Sequence, residues 1–271
     1  MRLFIAVDLE GVSGVVSEAD TDRSGPAAER ARRLMRADLD AVLAGCLAAG
    51  AEDVVVCDAH DHGRNVSPEG LPPGVRLVSG SPSPGSMLEG LGPDRDAALL
   101  VGYHARAGTA GAILEHTWDY HVFSVHVGDL EVGELGIAAL LAGSLGVPVV
   151  YASGDDKLAA EAAALLPGVT TTVVKTGVTR ECAVLRPPEE ARAAIRADVE
   201  AALRAPQWPA PLAWDGSPLL LTFTRPQYCD LAAGCPGARR LDGRTLSLSG
   251  ETFADVYRSF LACLRLASAP D

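Results

Sequence analysis

The sequence predicts an α/β protein: a doubly wound, mostly parallel sheet with a smaller α+β domain at the C-terminal end. Three observations carry this. Short, β-branched, apolar runs alternate with longer helix-like runs through the first 165 residues. Those apolar runs lack the alternation of a sheet with one wet face, so they suit strands buried on both faces. Strand-helix-strand succession on this scale is what brings parallel strands back to one sheet.

The first strand is 2–7, "RLFIAV". From Pro26, "PAAERARRLMRADLDAVLAGCLAAG" keeps apolar residues at helical spacing, with proline in its first turn and Gly50 as its stop. "DVVVCDAH" (53–60) and "AALLVGYH" (97–104) are buried-type strands, with a weaker strand at 75–80 and a short helix at 85–91 between them. "HVFSVHVGDLEVG" (121–133) reads as a hairpin turning at Gly128-Asp129. A helix over 133–146, a strand over 147–153 and a helix over 155–168 follow.

The remaining third changes character. A strand at 169–175 and a helix at 188–205 lead into "APQWPAPLAWDGSP", a linker-like stretch with four prolines and two tryptophans. A strand at 219–224, a hairpin over 239–249 and a helix over 251–266 close the chain. The expected division is a larger α/β domain over 1–168 and a smaller α+β domain over 169–271.

The chain has 271 residues, 48% of them hydrophobic, enough for a substantial core and against intrinsic disorder. Acids outnumber bases 35 to 23, a formal charge of −12 that repels phosphate backbones and anionic lipids. The expectation is therefore no nucleic-acid and no membrane partner. The opening apolar run is too short for a signal peptide, and no run approaches the roughly 18 apolar residues of a membrane span. Six cysteines lie scattered without a C-x-x-C pair, as reduced thiols in a cytoplasmic protein would.

In an open parallel sheet, ligands sit at the carboxyl ends of the strands. Three apolar strands here end in metal-ligand residues: "AVDLEG" in Asp8 and Glu10, "VVVCDAH" in His60 and "LLVGYH" in His104. Glu134 opens the helix in "VGELG". Asp8 and Glu10 share a face, about 6–7 Å apart along an extended backbone. Two imidazoles and three carboxylates suit zinc, with manganese or iron as alternatives, and five ligands fit two ions sharing one carboxylate better than one tetrahedral ion.

Singly, each residue has an ordinary explanation: a turn for Asp8, a half-exposed strand end for each histidine, the helix dipole for Glu134. Their coincidence at three consecutive buried-type strands does not. The Gly- and Ala-rich loop 105–121 would bring His116 to the substrate as a proton donor, nucleophile or transition-state stabiliser. Asp58, Asp61 and His62 are candidates for orienting the ligating imidazoles, and His126 reads as structural. P-loop, dinucleotide-binding, zincin and serine-hydrolase signatures are absent from the sequence.

"VDLEGVSG", "DAH", "GYHARAGTAGAILEHT" and "VGELG", in this order, resemble peptidase family M55, the DppA-type zinc D-aminopeptidases. The likeness extends through "PVVYASGDD" and "EAAALLPGVTTTVVK". It implies two zinc ions per subunit on Asp8, Glu10, His60, His104 and Glu134, with Asp8 bridging, and His116 as the catalytic histidine. It also implies short D-amino-acid peptides as substrates, attacked by metal-activated water. A ring-like homo-oligomer, with a decamer as one size, and active sites facing an interior space follow from the same likeness. This chain departs from the family pattern in a loop one residue longer before His116, and in Ala59 and His62 flanking the zinc histidine. Arg106 is a further candidate, for a substrate carboxylate. The competing functions are a di-metal hydrolase of another amide or ester bond, and a non-catalytic peptide-binding partner of a dipeptide transporter.

Overall fold

The computed structural model describes residues 1–268. In chain order its elements are β1 (Arg2–Val7), α1 (Glu18–Thr21), α2 (Pro26–Ala48), β2 (Asp53–Asp58), β3 (Val75–Val78), β4 (Ala97–Val101), β5 (Val122–Val127), β6 (Leu130–Glu131), α3 (Glu134–Ser144) and β7 (Val149–Asp155). They continue with α4 (Asp156–Leu165), β8 (Thr170–Thr179), β9 (Cys182–Leu185), α5 (Pro188–Arg204), β10 (Leu219–Phe223), α6 (Pro226–Ala232), β11 (Arg239–Arg240), β12 (Thr245–Leu248) and α7 (Phe253–Ala267). The helix expected over 85–91 contracts to a 3-10 turn at Ser86–Leu88.

Two sheets result. The larger has the order β3-β2-β1-β4-β7-β8-β9, parallel throughout except for its antiparallel edge strand β9. The smaller, β11-β12-β10-β5-β6, is antiparallel. The α/β class with a mostly parallel sheet is as expected.

The sheets do not divide at residue 168. β8 returns through α4 to lie beside β7, so the large sheet runs on to residue 185. The smaller sheet draws its strands from both sides of that point, because the hairpin β5-β6 leaves an edge that β10 covers.

The period-two alternation of β1 serves two cores at once. Leu3, Ile5 and Val7 join Met35, Leu39 and Val42 of α2 and Ile195 and Val199 of α5 on one face. Phe4 and Ala6 join the second core, which also holds α3, α7 and the inner face of the small sheet. The helix α3 is buried from Glu134 through Ala142, and after Glu134 that run holds no charged or polar side chain. Among the described residues no helix is long and apolar enough to cross a membrane.

Candidate metal centre

Adjacent, parallel strands β2, β1 and β4 end level with one another: Val7 lies opposite Asp58 on one side and Val101 on the other. Their ladder continues one step past the strands, with Asp8 N donating to Val101 O at 2.8 Å and Ala59 N to Val7 O at 2.8 Å. The residues that follow are therefore delivered to one edge. Two glycines let the chains approach. Gly11 N donates to Gly102 O at 2.7 Å, and a Cβ on Gly11 would stand 1.9 Å from the Tyr103 carbonyl. At Gly102, with φ +66°, a Cβ would meet the Asp8 carbonyl at 2.4 Å. The glycine that follows the two acids is thus the condition for bringing them against His104.

All five sequence-derived ligands converge. Asp8 stands between two groups: Oδ1 is 3.3 Å from His60 Nδ1 and Oδ2 is 3.6 Å from His104 Nε2. Glu10 Oε2 lies 3.2 Å from the same His60 nitrogen, and Glu134 Oε2 lies 3.5 Å from the same His104 nitrogen. Donors of Asp8, Glu10 and His104 fall within 4.8 Å of one another, and so do donors of His104, His116 and Glu134. His116 Nε2 is 3.8 Å from Glu134 Oε1, and its ring stacks on His104.

Each imidazole points a nitrogen inward while its other nitrogen meets a backbone carbonyl. His104 Nδ1 donates to Ala105 O at 3.0 Å, His116 Nδ1 to Leu114 O at 2.8 Å, and His60 Nε2 faces Thr21 O at 3.4 Å. A carbonyl only accepts, so these contacts place a ring proton on the outer nitrogen and leave the inner one to take either a cation or a second proton. Buried Glu10 Oε2 and His104 Nε2 are satisfied by no hydrogen bond. Inward imidazole nitrogens, paired carboxylates and orphaned buried atoms fit divalent cations.

The electrostatics agree. Burial and neighbouring Glu10 push Asp8 up to about 7. Burial alone would raise Glu10 and Glu134 too, but His60 and His104 respectively hold them below the usual carboxylate range. His104 rises to about 10, the carboxylate of Glu134 outweighing burial. Three buried carboxylates thus draw protons onto their neighbours, a demand for positive charge that cations would meet.

The residues expected around the ligands take other roles. Asp58 accepts from Asn65 N at 2.5 Å and Val66 N at 2.8 Å, and Asn65 Nδ2 donates to His60 O at 2.8 Å. It shapes the loop that carries His60 rather than touching the ring. Asp61 pairs with Arg23 and, at 3.8 Å, with His62. Arg106 pairs with Glu131 at 2.9 Å and does not line the cavity, because the turn after His104 carries it away. His126 lies within β5, opposite Glu131.

The loop carrying His116 is fastened from below. Ile113 N donates to buried Asp155 at 2.8 Å, Leu114 N to Arg180 O at 3.0 Å, and Trp118 N to Glu134 Oε1 at 2.6 Å. Above lies a cavity of about 930 Å3, with Asp8, Glu10, His60, His116 and Glu134 among its lining residues and Trp118, Tyr120 and Leu264 also bordering it. Sequence reasoning missed α1, whose Thr21 carbonyl meets His60; four residues give no periodic signal.

A doubly wound sheet whose carboxyl edge gathers carboxylates and imidazoles under an open cavity defines a metal-dependent hydrolase. The profile of the M55 peptidase family, described as D-aminopeptidase, matches residues 1–262, and the chain belongs to that family of metallo-aminopeptidases. A D-aminopeptidase of Bacillus subtilis (strain 168) is 33% identical over 269 residues, 98% of each chain. The solved structure of the Zn-dependent D-aminopeptidase DppA from Bacillus subtilis, a self-compartmentalizing protease, matches with a TM-score of 0.95 at 32% identity, covering 98% of both chains.

Proposed function

We propose that this enzyme releases N-terminal D-amino acids, D-alanine among them, from short peptides, using two zinc ions per subunit. Asp8, Glu10, His60, His104 and Glu134 would hold the ions, with Asp8 shared. The observation that carries the reading is the position of Asp8, one oxygen toward His60 and the other toward His104. Zinc supplies a Lewis acid that polarises the scissile carbonyl and lowers the pKa of attacking water toward ~7.

The chain's own residues do the rest. Burial and stacked His104 draw His116 below its usual value, so its ring is neutral at pH 7. With Nδ1–H held on Leu114 O, Nε2 is the basic atom. It takes a proton from the attacking water and returns it to the departing amine, leaving the ring as it began. The peptide's own ammonium enters a cavity bordered by Asp22 and Asp119 as well as by Glu18 and Asp61, which are paired with Arg180 and Arg23. Trp118 and Leu264 give apolar surface for the side chain.

The reading extends to assembly and place. A ring-like homo-oligomer is supported by the self-compartmentalizing relative and the 98% coverage of both chains. A cytoplasmic setting is supported by six free cysteines, and a net charge of −12 disfavours nucleic acid as a partner. The test is to measure metal on the purified protein, then follow amino-acid release from D-Ala-D-Ala and L-Ala-L-Ala with and without chelator. Zinc with chelator-sensitive, D-selective release is expected. Metal without peptide hydrolysis would point to another hydrolase, and no metal would sink the reading.

A further inference from the structure

Lys175 is an anomaly in β8. The run "TTTVVKTG" offers a lysine to the middle of a strand, and the side chain ends up 1% exposed. Placing an ammonium there carries a large desolvation penalty, and a methionine of similar length would fill the space without it. The ammonium's partners explain its presence. It donates to three carbonyls, Glu10 O, Val12 O at 3.0 Å and Val15 O at 2.6 Å, which exhausts its three donors.

All three carbonyls belong to the segment that leaves β1 and carries Asp8 and Glu10. The segment is also tied by Asp38, which accepts from Ser13 N and Oγ, and by Asp20, which accepts from Val16 N and Ser17 N. Those two act beyond the ligands. Lys175 alone among these side chains grips the carbonyl of Glu10, while Gly102 O takes the N–H of Gly11. The peptide plane between Glu10 and Gly11 is thereby held at both edges, and a fixed plane fixes the direction in which Glu10 projects its carboxylate.

We propose that Lys175 is a positioning residue for the metal centre: by holding the 10–11 peptide plane from β8, it aims the carboxylate of Glu10 at the cation it shares with His60. The inference rests on the reading of Glu10 as a zinc ligand. It predicts a selective defect in one of two ion sites, with the His104–Glu134 half left intact.

The experiment compares wild type with Lys175→Met and Lys175→Gln, loading each metal-free protein with zinc and titrating it against a chromophoric chelator. Wild type should bind two ions tightly. Lys175→Met should keep one at wild-type affinity and bind the other ~10- to 100-fold more weakly, the usual scale for groups that orient ligands. Lys175→Gln, which retains an N–H donor, should recover part of the loss. A folded Lys175→Met protein that binds both ions as wild type does would overturn the inference. Equal weakening of both ions, or a lower melting temperature of the metal-free variant with zinc affinity unchanged, would reduce Lys175 to a general structural part and overturn it too. If Lys175→Met fails to fold, Lys175→Gln decides by the same criteria. A wild-type protein that takes up no zinc would instead remove the reading of the site itself.

Discussion

His104 and His116 stack face to face, with ring centroids 4.0 Å apart and planes 14° from parallel. One ring stands among the proposed ligands, and the other is drawn toward its neutral form by burial and by that neighbour. His116→Ala should therefore spare zinc content while lowering turnover by ~100-fold or more, the general acid–base scale. Metal analysis and kcat on D-Ala-D-Ala check this together. Full turnover in the variant would end the catalytic assignment.

The same stacking sets the sign of a pH effect. His116 titrates below 6.5, so the neutral form proposed to act predominates at pH 7 and is lost as pH falls through the lowered value. The acid limb of kcat should accordingly be centred below 6.5. A limb centred above it would contradict the assignment.

His104→Ala removes a nitrogen that faces both Asp8 and Glu134. At least one zinc per subunit should be lost, measured by atomic absorption. Chelation of the wild type should abolish activity and lower the melting temperature, since an ion held 1,000-fold above its Kd contributes about 4 kcal/mol. An unchanged melting curve would argue against tight ions in the fold.

Asp58→Ala would leave the amides of Asn65 and Val66 without their acceptor, beneath the loop that carries His60. A loss of about 2 kcal/mol is expected from urea unfolding, the range for bonds to a charged acceptor. Zinc affinity should fall with it, because Asn65 no longer anchors the His60 carbonyl.

Asp20 offers a pH test away from the metal centre. Burial would raise its pKa, but the amides of Val16 and Ser17 and the Arg30 guanidinium outweigh it and hold the carboxyl below 3.8. Its contribution is present above about pH 4 and disappears as pH falls through the folded value. The urea midpoints of metal-free wild type and Asp20→Asn should differ at pH 7 and converge toward pH 3. A constant gap would show that charge is not involved.

Much of this was legible in the sequence because chemistry and periodicity coincided. Each apolar strand that stopped at an acid or a histidine delivered that residue to the common edge, and β1, β2 and β4 proved to be neighbours. What escaped was non-local. The pairing of β5 with β10 joins segments far apart in the chain, and no pattern in either announces the other. The short α1 and α6 carry too few turns for a helical period. Lys175 closes the strand expected over 169–175 without distinction, because its contacts are with carbonyls, which every residue possesses and no sequence marks.

The pairing of β5 with β10 has a consequence for biosynthesis. As the polypeptide leaves the ribosome, the acids and imidazoles emerge well before β10 and before α7, whose Leu261, Leu264 and Arg265 border the cavity. A growing chain thus holds its reactive groups with no finished chamber around them. The chamber wall is completed only once α7 has been made and packed in place.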